Sequence, residues 1–295
     1  MGVMPRHNKL AAVVALIAIG FIASFGLAWP ARDVELYGLS FTLSGRMLLG
    51  LVLVGLAWTG TDMMIRQHPE TPPKQLSFLA MHGILPAALT AAAWTLLAQL
   101  DSIEIKITGV TVASGLLALL IISEYYVFYF TGRWRVVVQS FLRLMAYLVA
   151  TLLYIAIRLS LSAGLTATVA IAAVSAILGL KLLGDDRRLL QYFSAPHLGG
   201  RGPATKMAGR GPATKMAGRG WLFVLGLGAL LGATCWLFNL WTASPLLHSL
   251  MLVVFLYVLI GIARHFLLGT LTQRVAFEYL LVGVVVLLLL LSYAR

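Results

Sequence analysis

Residues able to do chemistry are scarce in this chain: 10 acidic side chains, 6 histidines and a single cysteine among 295 residues. An ionisable group inside hydrocarbon is costly unless paired, so those that interrupt long apolar stretches are functional candidates first. Glu124 and Arg143 are two such groups, and neither has an opposite charge three or four residues away. They flank a turn signal at Gly132. Antiparallel helices joined there bring both to a similar depth, about 12–15 Å from the turn at 1.5 Å per residue. The spacing predicts an interhelical Glu124–Arg143 ion pair, serving either as a lock between two helices or as a substrate or proton site. Tyr125, Tyr126, Tyr129 and Tyr147 are at hand for the remaining hydrogen bonds.

Asp62 and Glu278 are secondary polar candidates. Each has an arginine four residues away, Arg66 and Arg274, which predicts local helical ion pairs that snorkel to the interface. Among the histidines, His82, His248 and His265 fall in apolar stretches, and no two share a span at a helical repeat. Bis-histidine haem ligation is therefore unsupported, and His82 is the one candidate for a single ligand to a chlorin or haem. With no HExxH, no CxxCH and no Cys/His cluster, neither a metal site nor a resident cofactor is expected. Asp185-Asp186 is followed by two arginines with no second acidic cluster, and Ser114 has no histidine placed to activate it, so catalysis is the least favoured class.

The elements that hold these residues follow from composition. The chain is 60% hydrophobic and 11% charged, against about 25% charged in soluble domains. That excludes a water-soluble globular domain and disorder, and Cys235 alone cannot build a disulfide scaffold. Nine stretches approach the roughly 20 apolar residues that cross a bilayer: 9–29, 46–66, 77–99, 108–130, 136–158, 163–183, 221–241, 245–267 and 276–294. None alternates over ten residues, so helices rather than a barrel are expected. The fold class is thus an all-α polytopic membrane protein. The first span follows Arg6 and Lys9 like a signal peptide. Its apolar run is too long and its cleavage motif too poor for one, and it reads as a retained helix. Trp221 and Trp241, about 30 Å apart along a helix, bracket the seventh span at headgroup level. Trp29, Trp94 and Trp134 occupy span ends in the same way.

Nine crossings alternate the connecting segments between two faces. Of 22 lysines and arginines, one face holds only Arg32, Arg46, Lys106, Arg158 and Arg295. The positive-inside rule then sets the N-terminus in the cytoplasm and the C-terminus outside, as in a bacterial inner membrane. The net charge of +12 follows from this bias. It implies anionic lipids as partners and requires no nucleic acid. The chain divides into a six-helix region (1–183), a basic cytoplasmic loop (184–220) and a three-helix region (221–295). Within the loop, residues 200–208 read GRGPATKMA, 209–217 repeat them, and 218–220 begin a third copy. Such a segment buries too little surface to offset its ordering entropy, and reads as expansion of a tolerant loop rather than a tether. On the opposite face, the segments Val34–Phe41 and Ser102–Ile107 alternate with period two, predicting two strands that pair as a small β-cap on the outer side.

Small residues supply helix-packing surfaces: Gly228 and Gly232, Ser175 and Gly179, and the stripe Gly83, Ala87, Ala91. Pro86 is expected to kink the third span. Many apolar helices, few intramembrane charges and small-residue stripes are what a non-catalytic membrane subunit needs, and the sequence favours a scaffold or accessory subunit that meets other membrane proteins. The alternative is a small-molecule or lipid transporter with a cytoplasm-facing polar cavity. A membrane-embedded enzyme comes last.

Overall fold

The computed structural model describes residues 7–27, 31–36, 39–66, 81–129, 132–161, 164–185, 219–241 and 243–293. Residues 200–218 of the repeat, Trp29 and the Tyr129 side chain lie outside that description. The chain forms two compact units, Met1–Ser160 and Leu161–Arg295. The helix of the sixth span packs with the helix that follows it, inside the second unit.

The first unit contains α1 (His7–Gly26), a hairpin of β1 (Ala31–Leu36) and β2 (Leu39–Ser44), α2 (Gly45–Arg66), α3 (Ile84–Ala98), α4 (Ile103–Tyr129) and α5 (Gly132–Ser160). The second contains α6 (Leu165–Gly184), α7 (Arg219–Phe238), α8 (Pro245–Leu267) and α9 (Gln273–Tyr293). Eight of these helices are long and apolar enough to cross a membrane; α3, with 15 residues, is shorter. At 1.5 Å per residue it covers about 22 Å, against roughly 30 Å of hydrocarbon.

The third span lacks one helical hydrogen bond, while Gly83 keeps helical dihedrals (φ −76°, ψ −16°). Met81 and His82 are helical, Gly83 is a turn, and α3 begins at Ile84. A regular helix would bond the N–H of residue 86 to the carbonyl of His82, and Pro86 has no N–H to give. The missing bond thus falls one turn ahead of the proline. Gly83 serves a second need: a β-carbon there would stand 2.9 Å from the Trp58 indole of α2. The segment lies deep in the unit, with Met81 through Ala87 all buried.

The strand expectation is corrected in one half. Residues 31–36 and 39–44 pair antiparallel, with Val34 opposite Phe41 and Leu36 opposite Leu39. They pair with each other, while Ile103–Ile107 opens α4. Period-two alternation over six residues is compatible with a first helical turn. There Glu104 complements the helix dipole, and the Lys106 N–H donates to the Ser102 carbonyl at 3.1 Å. The long apolar run that follows recruits these residues into the helix.

In the second unit the small-residue stripes face helices of the same chain. Gly228 and Gly232 abut Ala172 of α6, and Gly179 meets Leu227. At the start of α8, Ser244 accepts from the Leu247 N–H and Pro245 occupies the first turn, where no donor is needed. Trp221, Trp134 and Trp241 are exposed, as ring anchors at an interface would be. Trp94 is not: its indole packs on Gly50 of α2, where an added β-carbon would stand 2.6 Å away.

Candidate functional site

The third span, just ahead of Pro86, and the fourth helix together set the site. His82 sits one turn ahead of Pro86, and Glu124 lies near the C-terminal end of α4. His82 Nδ1 and Glu124 Oε2 share a hydrogen bond of 2.6 Å, with side-chain exposures of 4% and 0%. Burying a carboxylate is tolerable only with a partner, and a histidine from a neighbouring element supplies one that can also carry a proton. Around it, Thr61 of α2 is fully buried and bonds the Ala57 carbonyl, and Tyr125 is buried with its ring edge-on to Tyr126 at 5.7 Å. The Trp58 indole lies against Gly83, the residue next to His82.

Two protonation states of this pair matter. Neutral histidine with carboxylate carries one negative charge; one proton more makes the pair electrically neutral. A buried His–Glu pair can thus exchange a proton for a small cation, or couple a proton to a conformational change.

Arg143, expected opposite Glu124, lies on α5 and is half-buried. Asp62 accepts from Arg66 Nε at 2.7 Å, and Glu278 from Arg274 Nε at 3.1 Å on a largely exposed face. His248 is buried in aromatic company, stacked on Phe238 at 5.5 Å and edge-on to Trp241. His265 Nδ1 is within 3.0 Å of Thr270 Oγ1. Among the described residues no three His, Cys, Asp or Glu side chains converge as a metal site would require.

Two features escape a reading of sequence. The first is that His82 bonds the Glu124 carboxylate, a partnership that depth-counting from Gly132 does not bring out. Pro86, one turn beyond His82, is the available signal. The second is Lys181, whose side chain is wholly buried and donates to Asp185 Oδ1 at 2.7 Å. Its i,i+4 spacing is visible in the sequence, but its burial is not. In the same unit, α7 and α8 enclose an apolar groove of about 610 Å³ lined by Leu222, Phe223, Leu230, Ile262 and Phe266 among others.

Helices of this length and apolarity fit a multi-pass membrane protein with an ionisable pair inside its first unit. The chain belongs to the family of proteins of unknown function designated DUF5656, whose pattern matches residues 30–193 and 213–293. No curated protein and no solved structure matches it. The family match passes over 194–212, the stretch that holds the first copy of the nine-residue repeat.

Proposed function

We propose that this chain is a multi-pass membrane transporter whose first unit carries a proton- or cation-dependent binding site for a small solute at His82 and Glu124. One observation carries the reading: a fully buried carboxylate bonded to a buried histidine one turn ahead of Pro86, where the helix of an apolar segment loses a hydrogen bond. Helix-breaking Pro and Gly at membrane depth are tolerated where the freed backbone groups are re-satisfied, and they recur at the binding sites of secondary transporters. A scaffold gains nothing from such a pair that an apolar residue would not supply more cheaply. Under this reading the third span crosses as a helix weakened at Pro86. Nine crossings then keep the basic residues on the cytoplasmic face, with the N-terminus inside, the C-terminus outside and the β1–β2 hairpin outside. Arg143 is proposed to share the Glu124 carboxylate in one conformational state.

A screen of small solutes by melting temperature, at two pH values, tests it. A transporter is expected to show a saturable, pH-dependent rise with one solute class, and Glu124→Gln is expected to remove the pH dependence. No response from any solute, with stoichiometric partner chains co-purifying, would overturn it.

The second reading is the accessory subunit, in which the chain packs against other membrane proteins. What favours it is α9, whose span is only 6% buried, with Phe277, Leu280 and Leu288 more than half exposed. A lipid-facing helix has the same appearance, so this reading ranks second.

A further inference from the structure

At the end of the first unit away from His82, four helix ends meet around a cation. Arg46 lies in the first turn of α2, Phe25 in the last turn of α1, Trp94 about one turn before the end of α3 and Lys106 in the first turn of α4. The Arg46 guanidinium carbon stands 5.1 Å from the centre of the Phe25 ring and 6.0 Å from that of Trp94. Lys106 Nζ approaches the same Phe25 ring at 5.5 Å. Two cations are thus gathered on one aromatic ring.

Aromatic faces attract a guanidinium but leave its in-plane N–H groups without acceptors. Nε and Nη2 of Arg46 are both buried and find no hydrogen-bond partner among the described residues, and the same holds for Trp94 Nε1. Nε and Nη2 form one edge of the guanidinium, and their N–H bonds run parallel. That edge is the fork that grips two oxygens of a carboxylate or phosphate. Asp101 and Glu104, close in sequence to Lys106, are exposed and form no ion pair with either cation. A desolvated guanidinium fork held by two rings, an ammonium on the same Phe25 ring and an unpartnered indole N–H are the parts an anion receptor needs.

We propose that Arg46, with Trp94 Nε1 and Lys106 beside it, binds a phosphate oxyanion, carried either by a lipid headgroup or by a small soluble phosphate. Placement at the ends of apolar helices puts the fork at the level of headgroups, where indoles also gather. This site is independent of the His82–Glu124 reading, and either can fail alone.

The test uses the full chain purified in phosphate-free neutral detergent, with melting temperature as readout. Inorganic phosphate is titrated in one arm. Phosphatidylglycerol is titrated in the other as mixed micelles, with a neutral galactolipid of equal chain length as control. A saturable rise with either phosphate probe and none with the galactolipid is expected; the arm that responds identifies the source. Arg46→Lys keeps the charge but loses the fork, and is expected to weaken binding about tenfold, the loss of a hydrogen bond to a charged group. Trp94→Phe keeps the ring, loses the N–H, and is expected to weaken it several-fold. If Arg46 variants fail to fold, the Trp94→Phe and Lys106→Gln titrations decide. No rise with either probe overturns the proposal, as does a response unaltered in these variants.

Discussion

Gly228 of α7 lies against the backbone of Ala172 of α6, so close that a β-carbon at residue 228 would stand 2.6 Å from the Ala172 carbonyl oxygen. Backbone cannot rotate aside as a side chain can. The contact belongs to a run in which Gly232 meets Ala172 and Thr168 one turn further along. In lipid, where apolar surface gains little by leaving one hydrocarbon for another, such close approach is what holds helices together. Gly228→Ala is therefore expected to destabilise the second unit by about 1–3 kcal/mol through overpacking. Gly226→Ala, on the same helix with nothing within 4 Å of the new methyl, is expected to be neutral or stabilising by under about 1 kcal/mol. Reversible unfolding of both variants in mixed micelles checks this, and equal effects would mean that α7 is seated otherwise.

At the buried pair, removing one partner differs sharply from replacing both. His82→Ala strands the Glu124 carboxylate and is expected to cost about 3–5 kcal/mol, whereas His82→Phe with Glu124→Leu is expected to cost far less. A double-mutant cycle yields the coupling, for which about 1 kcal/mol or more is expected of residues in direct contact. The same cycle between Glu124 and Arg143→Leu tests the pairing proposed from the turn at Gly132. A coupling below about 0.5 kcal/mol, the level at which distant sites add, would assign the carboxylate to His82 alone.

Much of the fold is legible because the rules are coarse. Runs of Leu, Val, Ile and Ala of bilayer length form helices over each expected stretch, since backbone groups in an apolar setting must be satisfied within the segment. Legibility fails where two elements compete for the same few residues. Ile103–Ile107 alternates like a strand yet belongs to α4, and only the downstream apolar run decides. At the site it is incomplete. Depth along a helix can be counted from Gly132, and that arithmetic chose Arg143 for Glu124. Which way Glu124 faces around α4 depends on how α3 packs, and no spacing encodes that. Trp94 fails for a similar reason: its position marks a span end, but Gly50 opposite it turns the ring inward.

Orientation can be read with single cysteines, since Cys235 is the only native one and is buried. In a Cys235→Ala background, Asp101→Cys in the α3–α4 connection is expected to react with a membrane-impermeant maleimide added outside intact cells. Arg133→Cys, at the start of α5, is expected to react only after the membrane is opened. The reverse pattern would mean that α3, about 22 Å long by helical rise, returns to the face it entered from. The parity of every later helix would then change.

The repeat offers the last test. Residues 194–212 fall between the two matched parts of the family pattern, and the copies at 200–208 and 209–217 are identical. A segment rich in Gly, Pro, Arg and Lys has little apolar surface to contribute to packing, and lengthening a loop costs only about 0.6 kcal/mol per doubling. Deleting residues 200–208 leaves one copy and is expected to keep melting temperature and expression unchanged. Deleting 200–217 shortens the connection further and is expected to do the same, provided the remaining residues still span from α6 to α7. What should change is affinity for anionic vesicles, because Arg201, Lys206, Arg210 and Lys215 leave with the repeat. Juxtamembrane basic residues contribute about 1 kcal/mol each, so vesicle binding by the deleted loop peptide should fall steeply at low salt. A drop in melting temperature of the whole protein on losing a single copy would instead show that the repeat is packed against the helices.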